Sequence, residues 1–219
     1  MALITDNTAL QELCGRLSKA SYITVDTEFM REKTYWPILC LVQVAGPDEA
    51  WAIDPLAEGL DLSPLFDLFA DENILKVFHA GRQDLEIFYH LAGRLPKPVF
   101  DSQIAAMVCG YGDSVGYDTL IGSLTGVRID KSSRFTDWSV RPLSDRQIDY
   151  ALGDVTHLRV AYEKLKATLE SNGRADWLVE EMAVLTAAET YYVDPARAYL
   201  RLKVRNPKPR LLAVLREGA

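Results

Sequence analysis

Two acidic residues separated by a single residue, Asp26 and Glu28, are the first candidates for chemistry in this chain. They close a short β-branched and aromatic run that begins at residue 21, which is typical of a buried strand. Because side chains alternate between the faces of a strand, both carboxylates point to one face and Thr27 to the other. Buried carboxylates are costly unless a cation neutralises them, and their hard oxygens suit Mg²⁺ or Mn²⁺. The pair alone is also compatible with a strand that ends in a polar turn.

A second pair, Tyr150 and Asp154, lies four residues apart in a segment with helical periodicity, so both side chains share one helix face. Apolar neighbours such as Ile148 and Val155 predict that this face is partly buried. A further acid, Asp84, follows a predicted strand at the start of a helix. It could favour the helix N-terminus, or it could join a site at the strand ends of an α/β sheet.

Short strands and helices alternate along the chain and would position these residues. Five apolar runs predict strands, over 21–26, 39–45, 50–53, 74–78 and 99–101. The Gly46-Pro47 turn favours an antiparallel meander of the first three strands. Helices are predicted over 63–70, 83–91 and 144–171, the last with Ser144 and Gln147 as a capping box. The polar segment 128–144 is predicted to be a loop, and the whole pattern indicates an α/β fold with a mixed sheet and a helical extension.

The composition of the 219 residues is that of a globular protein, with 48% hydrophobic and 25% charged residues, which excludes intrinsic disorder. No apolar run approaches the roughly 20 residues of a membrane span, and the first residues lack a signal-peptide pattern, so no membrane partner is expected. Three widely spaced cysteines fit free thiols in a reducing cytoplasm. The expected location is therefore cytoplasmic.

The formal net charge of −7 at first disfavours a nucleic-acid partner, which usually requires a basic face. The charge is unevenly distributed, however, because a basic tail follows an acidic body. The basic residues of the tail are Arg197, Arg201, Lys203, Arg205, Lys208, Arg210 and Arg216. The acidic body must therefore either repel polyanions or hold cations.

Taken as an ordered set, the acidic pair, Asp84 and the tyrosine–aspartate pair resemble the tyrosine-bearing DEDDy branch of the DEDD exonuclease superfamily, and the similarity is closer still to the ribonuclease D family. It covers about residues 3–216, and its matching segments are 25–29, 31–37, 39–43, 79–86, 130–143 and 147–154. The resemblance implies a ribonuclease H-like mixed β-sheet flanked by helices. It implies an exonuclease domain over 1–172 and a helical extension with the basic tail over 173–219, without the C-terminal helicase-and-RNase-D domains that bacterial members usually carry.

The resemblance also implies a mechanism in which four carboxylates bind two divalent metal ions, Mg²⁺ or Mn²⁺, about 4 Å apart. By position, these ligands are Asp26, Glu28, Asp84 and Asp154. Tyr150 would hydrogen-bond the attacking water and orient it, since a phenol with a reference pKa of ~10 is a poor base at neutral pH. The implied activity is that of a 3′–5′ exoribonuclease that releases nucleoside 5′-monophosphates from single-stranded RNA 3′ ends, in tRNA 3′ processing or RNA decay.

Substrate contacts are expected at residues close to the implied metal ligands. The candidates are Thr27, Phe29, Met30, His79 and Trp138. The loop before the Tyr150 helix is basic and could steer or stack the RNA end, or it could be a solvated loop anchored by Trp138. Its charged residues are Lys131, Arg134 and Arg141.

Two alternative functions stay open for the sequence: a 3′–5′ exonuclease that acts on DNA, and a non-catalytic RNA-binding module on the same fold. The presence of all four acids and the tyrosine argues against the second. Two bound divalent cations would still leave the protein negatively charged. This predicts that the protein contacts only a short stretch of the RNA 3′ end and that its RNA affinity depends weakly on salt. The sequence does not determine the oligomeric state, and a monomer is the expectation.

Overall fold

A six-stranded mixed sheet is the framework of the fold in the computed structural model, which describes residues 2–130, 132–192, 199, 204 and 208–217. The strands are β1 (Leu3–Ile4), β2 (Tyr22–Met30), β3 (Ile38–Ala45), β4 (Ala50–Ile53), β5 (Leu75–Phe78) and β6 (Val99–Asp101). Their order across the sheet is β1-β4-β3-β2-β5-β6. The β2–β3 and β3–β4 pairs are antiparallel, which confirms the predicted meander, and the other three pairs are parallel.

The helices confirm the three predicted ones and add others. The helices are α1 (Asn7–Leu17), α2 (Ser63–Ala70), α3 (Arg82–Ala92), α4 (Ser102–Val108), α5 (Tyr117–Thr125), α6 (Asp145–Ser171), α7 (Trp177–Leu185) and α8 (Pro209–Glu217). Neither β1 nor α1 was predicted, although α1 has a side-chain cap in which Asp6 accepts a hydrogen bond from the Ala9 amide. Within the described part of the chain, every helix is too short or too polar to cross a membrane.

The chain divides into two compact units, Met1–Thr186 and Ala187–Ala219. The domain boundary expected at residue 172 follows the end of α6, and α7 lies within the first unit. The second unit contains a short 3-10 helix at Ala188–Thr190 and α8. Four basic residues of the expected tail lie outside the described residues, namely Arg197, Arg201, Lys203 and Arg205.

The strand that carries the first two acids is longer than predicted. It was expected to end at Asp26, but β2 continues to Met30, so Asp26 and Glu28 lie inside the strand. The reason is that β3 pairs with β2 as far as Met30, which lies opposite Ile38. This pairing satisfies the backbone hydrogen bonds of residues 27–30, which extend the strand beyond its predicted end. The register shifts between Glu28 and Phe29, and this shift bends the strand just beyond the second acid.

The long helix α6 covers the face of the sheet on which the first two acids lie. Its N-terminus has the predicted capping box of Ser144 and Gln147. The Thr24 hydroxyl, on the same face of β2 as Asp26, donates to the Val155 carbonyl of α6 at 2.8 Å. This packing brings the Tyr150 and Asp154 turn of α6 over the acids of β2.

Candidate active site

Three of the four predicted acids meet between β2 and α6. One carboxylate oxygen from each of Asp26, Glu28 and Asp154 lies within 4.8 Å of the other two. Asp154 is buried and the other two side chains are partly buried. Ionised carboxylates at this spacing repel one another strongly, so the arrangement is typical of a site that holds a cation.

The fourth acid, Asp84, lies beside this group in the first turn of α3, and its side chain is buried. The Thr27 hydroxyl donates a hydrogen bond to Asp84. Thr27 thus points away from Asp26 and Glu28, as predicted, and its hydroxyl holds the fourth acid. The charge of Asp84 contributes to the raised pKa values of both Asp26 and Glu28, which places it within electrostatic reach of the other acids.

Burial raises the pKa of all four carboxyl groups. The pKa of Glu28 rises to about 8, that of Asp154 to about 7 and that of Asp84 to about 6. The pKa of Asp26 rises well above its usual value, first through burial and then through repulsion from Asp154, Asp84 and Glu28. Without a cation, the group therefore retains protons near neutral pH, and a divalent cation would displace them.

These shifts predict that metal-free protein loses stability as the pH rises. Each folded-state pKa exceeds the unfolded value of about 4, so the stabilising contribution is complete below that value and is lost as the pH rises through about 6, 7 and 8. In EDTA, we expect the melting temperature to fall by roughly 5–10 °C between about pH 5 and pH 9. Millimolar Mn²⁺ should abolish most of this fall, whereas KCl of equal ionic strength should not. Differential scanning calorimetry would measure both, and a melting temperature independent of pH would contradict the prediction.

Tyr150 lies at the edge of the acidic group, one helical turn before Asp154. Hydrogen bonding from Tyr150 lowers the pKa of Asp154 against the larger effect of burial. The pKa of Tyr150 itself rises, through burial first and then through the charges of Asp154, Glu28 and Asp26. The side chain is therefore a neutral phenol, which can donate a hydrogen bond and orient a water but cannot act as a base at neutral pH.

Trp138 lies beneath Tyr150, with its ring centroid 6.1 Å from that of the tyrosine. Its side chain is 2% exposed and packs against Cys40, Leu41 and Ala151. The indole fills the core behind Tyr150. The Trp138 ring therefore has no exposed face on which the predicted contact with a nucleotide could form in this structure. Lys131, from the same loop, lies outside the described residues.

Arg141, a second loop residue considered as a contact for RNA, also points inward. Its guanidinium donates to both carboxylate oxygens of Asp54 at 2.7 Å. It also donates to the carbonyls of Cys40, Trp138 and Val140, at 2.6, 2.7 and 2.9 Å. Arg141 therefore connects the loop to β3 and to the end of β4. The sequence showed the charge of Arg141 but not that its side chain points into the protein.

Two neighbouring loop residues outside the predicted site residues, Arg134 and Phe135, face the acids and the solvent, respectively. Arg134 lines a cavity of about 220 Å³ together with Asp26, Tyr150 and Asp154. Its positive charge lowers the pKa of Glu28, Tyr150 and Asp154 against the larger effect of burial. Phe135 is 90% exposed, and the Arg134 guanidinium lies 5.3 Å from the centroid of its ring. Arg134 was considered from the sequence but Phe135 was not, and an aromatic next to an arginine in the loop before α6 is the signal that could have identified Phe135.

His79 lines the same cavity as Arg134. Its Nδ1 lies 2.9 Å from the Ser102 hydroxyl, and its buried Nε2 has no hydrogen-bond partner among the described residues. Burial lowers the pKa of His79, and the charge of Asp101 opposes this shift. A neutral imidazole with an unpaired buried nitrogen fits the predicted contact with a polar ligand.

Tyr117, which also lines this cavity, was not predicted as a site residue. Its hydroxyl donates to the backbone carbonyl of Asp154, and so connects the start of α5 to α6. Phe29 and Met30, two predicted contacts, are partly buried at the end of β2, where Met30 packs against the cluster that contains Trp138.

Comparison with known sequences gives one family match and many relatives. Residues 1–170 match the sequence model of a 3′–5′ exonuclease family. Ribonuclease D of Nitrobacter hamburgensis is 56% identical over 219 residues, which are 100% of this chain and 57% of that protein. Ribonuclease D of Bartonella henselae is 50% identical and covers 100% of this chain, which spans 54% of that protein. The chain thus spans about half the length of the relatives it matches.

Two solved structures share both the fold and part of the sequence. The Escherichia coli RNase D structure, described as that of an exoribonuclease involved in structured RNA processing, matches with a TM-score of 0.86 and 37% identity. The match covers 91% of this chain and 53% of that chain. The Brucella melitensis NrnC structure with bound Mg²⁺ matches with a TM-score of 0.71 and 28% identity, over 85% of this chain and 90% of that chain.

Proposed function

Because the chain belongs to the 3′–5′ exonuclease family, within its ribonuclease D group, we propose that it is a metal-dependent 3′–5′ exoribonuclease that releases nucleoside 5′-monophosphates. The observation that supports this most directly is the meeting of Asp26, Glu28 and Asp154 within 4.8 Å, with Tyr150 at their edge. Asp84, held by Thr27, supplies the fourth acid. All five side chains come from the positions at which the sequence resembles the family.

The donor set fits divalent metal ions, and Mg²⁺ or Mn²⁺ in particular. Every candidate ligand is a carboxylate oxygen, and the raised pKa values reflect buried charge that a hard cation would neutralise. Asp26, Glu28 and Asp154 would hold the metal directly, with Asp84 beside them. Bound metal ions lower the pKa of a coordinated water and stabilise the charge that develops on the leaving oxygen.

The protein's own residues then orient the substrate and the attacking water. Tyr150, a neutral phenol backed by Trp138, orients the water by a hydrogen bond. Arg134, in the loop before α6, lines the cavity beside the acidic group and places a positive charge where a phosphate would enter. His79, which lines the cavity as a neutral imidazole, would contact the terminal nucleotide.

Replacement of Tyr150 by Phe tests the orienting role. The ring keeps its packing on Trp138 but loses the hydroxyl, so we expect kcat to fall about 10–100-fold. We expect the Kd for RNA to change by less than about twofold, because the hydroxyl acts on the water rather than on the RNA. Single-turnover rates, and RNA binding with Ca²⁺ in place of Mg²⁺, would measure the two effects. The exposed Tyr111 offers a control, Tyr111→Phe, and equal losses in rate and binding at Tyr150 would refute the role.

The proposed substrate is the 3′ end of a single-stranded RNA, with tRNA precursors as candidates. The ribonuclease D relatives favour RNA, and the cavity of about 220 Å³ beside the acids suits a single terminal nucleotide better than a duplex. Arg134 lines this cavity, and the exposed Phe135 ring lies next to its guanidinium. Phe135 would stack on a base and Arg134 would contact the RNA backbone, and such contacts tolerate any sequence.

We expect Phe135→Ala to raise KM for RNA about tenfold and to leave kcat within about twofold, since base stacking contributes roughly 1–3 kcal/mol of binding. Trp177 provides a matched control, because it is also exposed (63%), its ring lies 5.2 Å from the Arg174 guanidinium, and it belongs to α7 rather than to the loop before α6. Steady-state kinetics with a labelled oligonucleotide would compare Phe135→Ala with Trp177→Ala. A similar KM for both variants would argue against the contact.

The activity itself is tested with RNA and DNA oligonucleotides of one sequence, labelled at either end. We expect that a label at the 3′ end is released at once as a mononucleotide. We expect a strand labelled at the 5′ end to shorten by one nucleotide at a time. EDTA should stop the reaction, and Mg²⁺ or Mn²⁺ should restore it. Internal cleavage, or activity that persists in EDTA, would refute the proposal, and faster degradation of DNA would favour the DNA exonuclease.

We extend the proposal to a cytoplasmic, monomeric protein. All three cysteines, Cys14, Cys40 and Cys109, are unpaired, as suits a reducing compartment. Light scattering of the purified chain would test the monomer.

A further inference from the structure

Gln43, in the middle of β3, is a buried polar residue that the proposed mechanism does not use. Its side chain is 0% exposed, and neither its amide nitrogen nor its amide oxygen has a hydrogen-bond partner among the described residues. A buried amide that lacks its hydrogen bonds is costly, and native proteins normally satisfy such a group with a protein group or an ordered water. The position therefore requires an explanation other than packing.

The register of the sheet places Gln43 directly beside the acidic group. It pairs with Asp26 of β2 on one side and with Ala52 of β4 on the other. Residues directly opposite each other share a face of the sheet, with Cβ atoms about 4.5–5.5 Å apart. Gln43 therefore shares with Asp26 the face that α6 covers.

Neither Ala52 nor Thr24, two neighbours on this face, supplies the Gln43 amide with a hydrogen bond. Ala52 has no polar side-chain atom, and it packs in one cluster with Ala151 of α6. Thr24 uses its hydroxyl to donate to the Val155 carbonyl. The carboxylate of Asp26 is the polar group directly opposite Gln43 in the register.

We propose that Gln43 is a positioning residue for Asp26: when a metal ion is bound, its amide donates a hydrogen bond to the Asp26 carboxylate, directly or through one buried water. This inference rests on the proposed metal site, because the hydrogen bond would hold Asp26 in the orientation that it presents to a divalent cation. Carboxylates that ligate metals generally need such outer partners, and their loss typically weakens metal binding 10–100-fold. An amide suits the task because it donates a hydrogen bond without adding charge to a group that is already acidic.

Gln43→Met in the full chain tests the inference, because methionine matches glutamine in length but has no amide. We expect its affinity for Mn²⁺, measured by isothermal titration, to fall about 10–100-fold. The melting temperature in EDTA should stay unchanged or rise, since the variant removes a buried polar group that the apo protein leaves unpaired. Thr24→Val is the matched control on the same face: it loses the hydrogen bond to Val155, and it should melt earlier with unchanged Mn²⁺ affinity.

The outcomes separate the inference from the proposed function. A lower melting temperature with unchanged Mn²⁺ affinity would show that Gln43 is a structural residue and would overturn the inference. If Gln43→Met does not fold, Gln43→Asn replaces it in the experiment, because asparagine keeps the amide on a side chain one methylene too short to reach the same position. Normal Mn²⁺ binding by Gln43→Asn would also overturn the inference. A wild-type protein that binds no Mn²⁺ would instead refute the proposed metal site.

Discussion

Asp26→Asn is expected to lower kcat for RNA hydrolysis at least about a thousandfold and, at the same time, to stabilise the metal-free protein. The first effect follows because Asp26 contributes one of the three carboxylate oxygens that meet within 4.8 Å, and a metal ion held there supplies several kcal/mol of transition-state stabilisation. The second follows because Asp26 is repelled by Asp154, Asp84 and Glu28, and the amide removes that repulsion.

The stability change should depend on pH in a defined direction. At about pH 8 in EDTA, we expect the variant to melt roughly 3–6 °C above the wild type. Near pH 4, the carboxyl of Asp26 is protonated in the folded protein, so the difference should nearly disappear. Calorimetry at the two pH values and a rate assay on one preparation would measure both effects.

Asp113 offers a control for the change of charge, since it is an exposed acid outside the group. Asp113→Asn should leave both the rate and the melting temperature near those of the wild type. Substantial activity of Asp26→Asn would contradict the assignment of Asp26 as a metal ligand. A lower melting temperature of that variant at pH 8 would contradict the electrostatic cost that we assign to the apo site.

Arg141→Met is expected to lower the free energy of unfolding by about 3 kcal/mol, although Arg141 touches neither the acids nor Tyr150. The substitution leaves the buried Asp54 carboxylate without its cationic partner, with only the Leu56 amide still donating to it among the described residues, and removes donors from the carbonyls of Cys40 and Trp138. Urea unfolding at neutral pH would measure the loss. Arg141→Lys should lie between wild type and Arg141→Met, because an ammonium cannot form the two parallel hydrogen bonds to Asp54.

The rate should fall as well, at a temperature where the variant is folded. Arg141 holds the Trp138 carbonyl, and the Trp138 ring supports Tyr150, so a loosened loop would misplace the phenol. Arg146→Met is the matched control, since the side-chain pairing that Arg146 makes within the described residues is an exposed 3.4 Å ion pair with Asp130, which contributes at most about 1 kcal/mol. Equal destabilisation by both substitutions would show that Arg141 does not have this anchoring role.

Patterns within single elements proved to be reliable guides. The capping box of Ser144 and Gln147 marked the start of α6 correctly, and the alternation of β2 placed Asp26 and Glu28 on one face. The end of β2 was wrong because the added residues are held by pairing with β3, which no local pattern reveals. The direction of loop side chains was beyond the sequence for a similar reason: Trp138 and Phe135 are both aromatic, yet one is buried behind Tyr150 and the other is exposed.

The sequence by itself determined the chemical groups of the site and their spacing within each element, because the periods of a strand and a helix are properties of the local backbone. Only the tertiary structure decided that α6 covers the Asp26 face of β2, that Thr27 holds Asp84, and that Gln43 lies opposite Asp26. These relations depend on contacts between residues far apart in the chain, which arise from the packing of the whole core. The acids are close in space because that packing brings the two elements together, at a cost in repulsion that a bound cation would relieve.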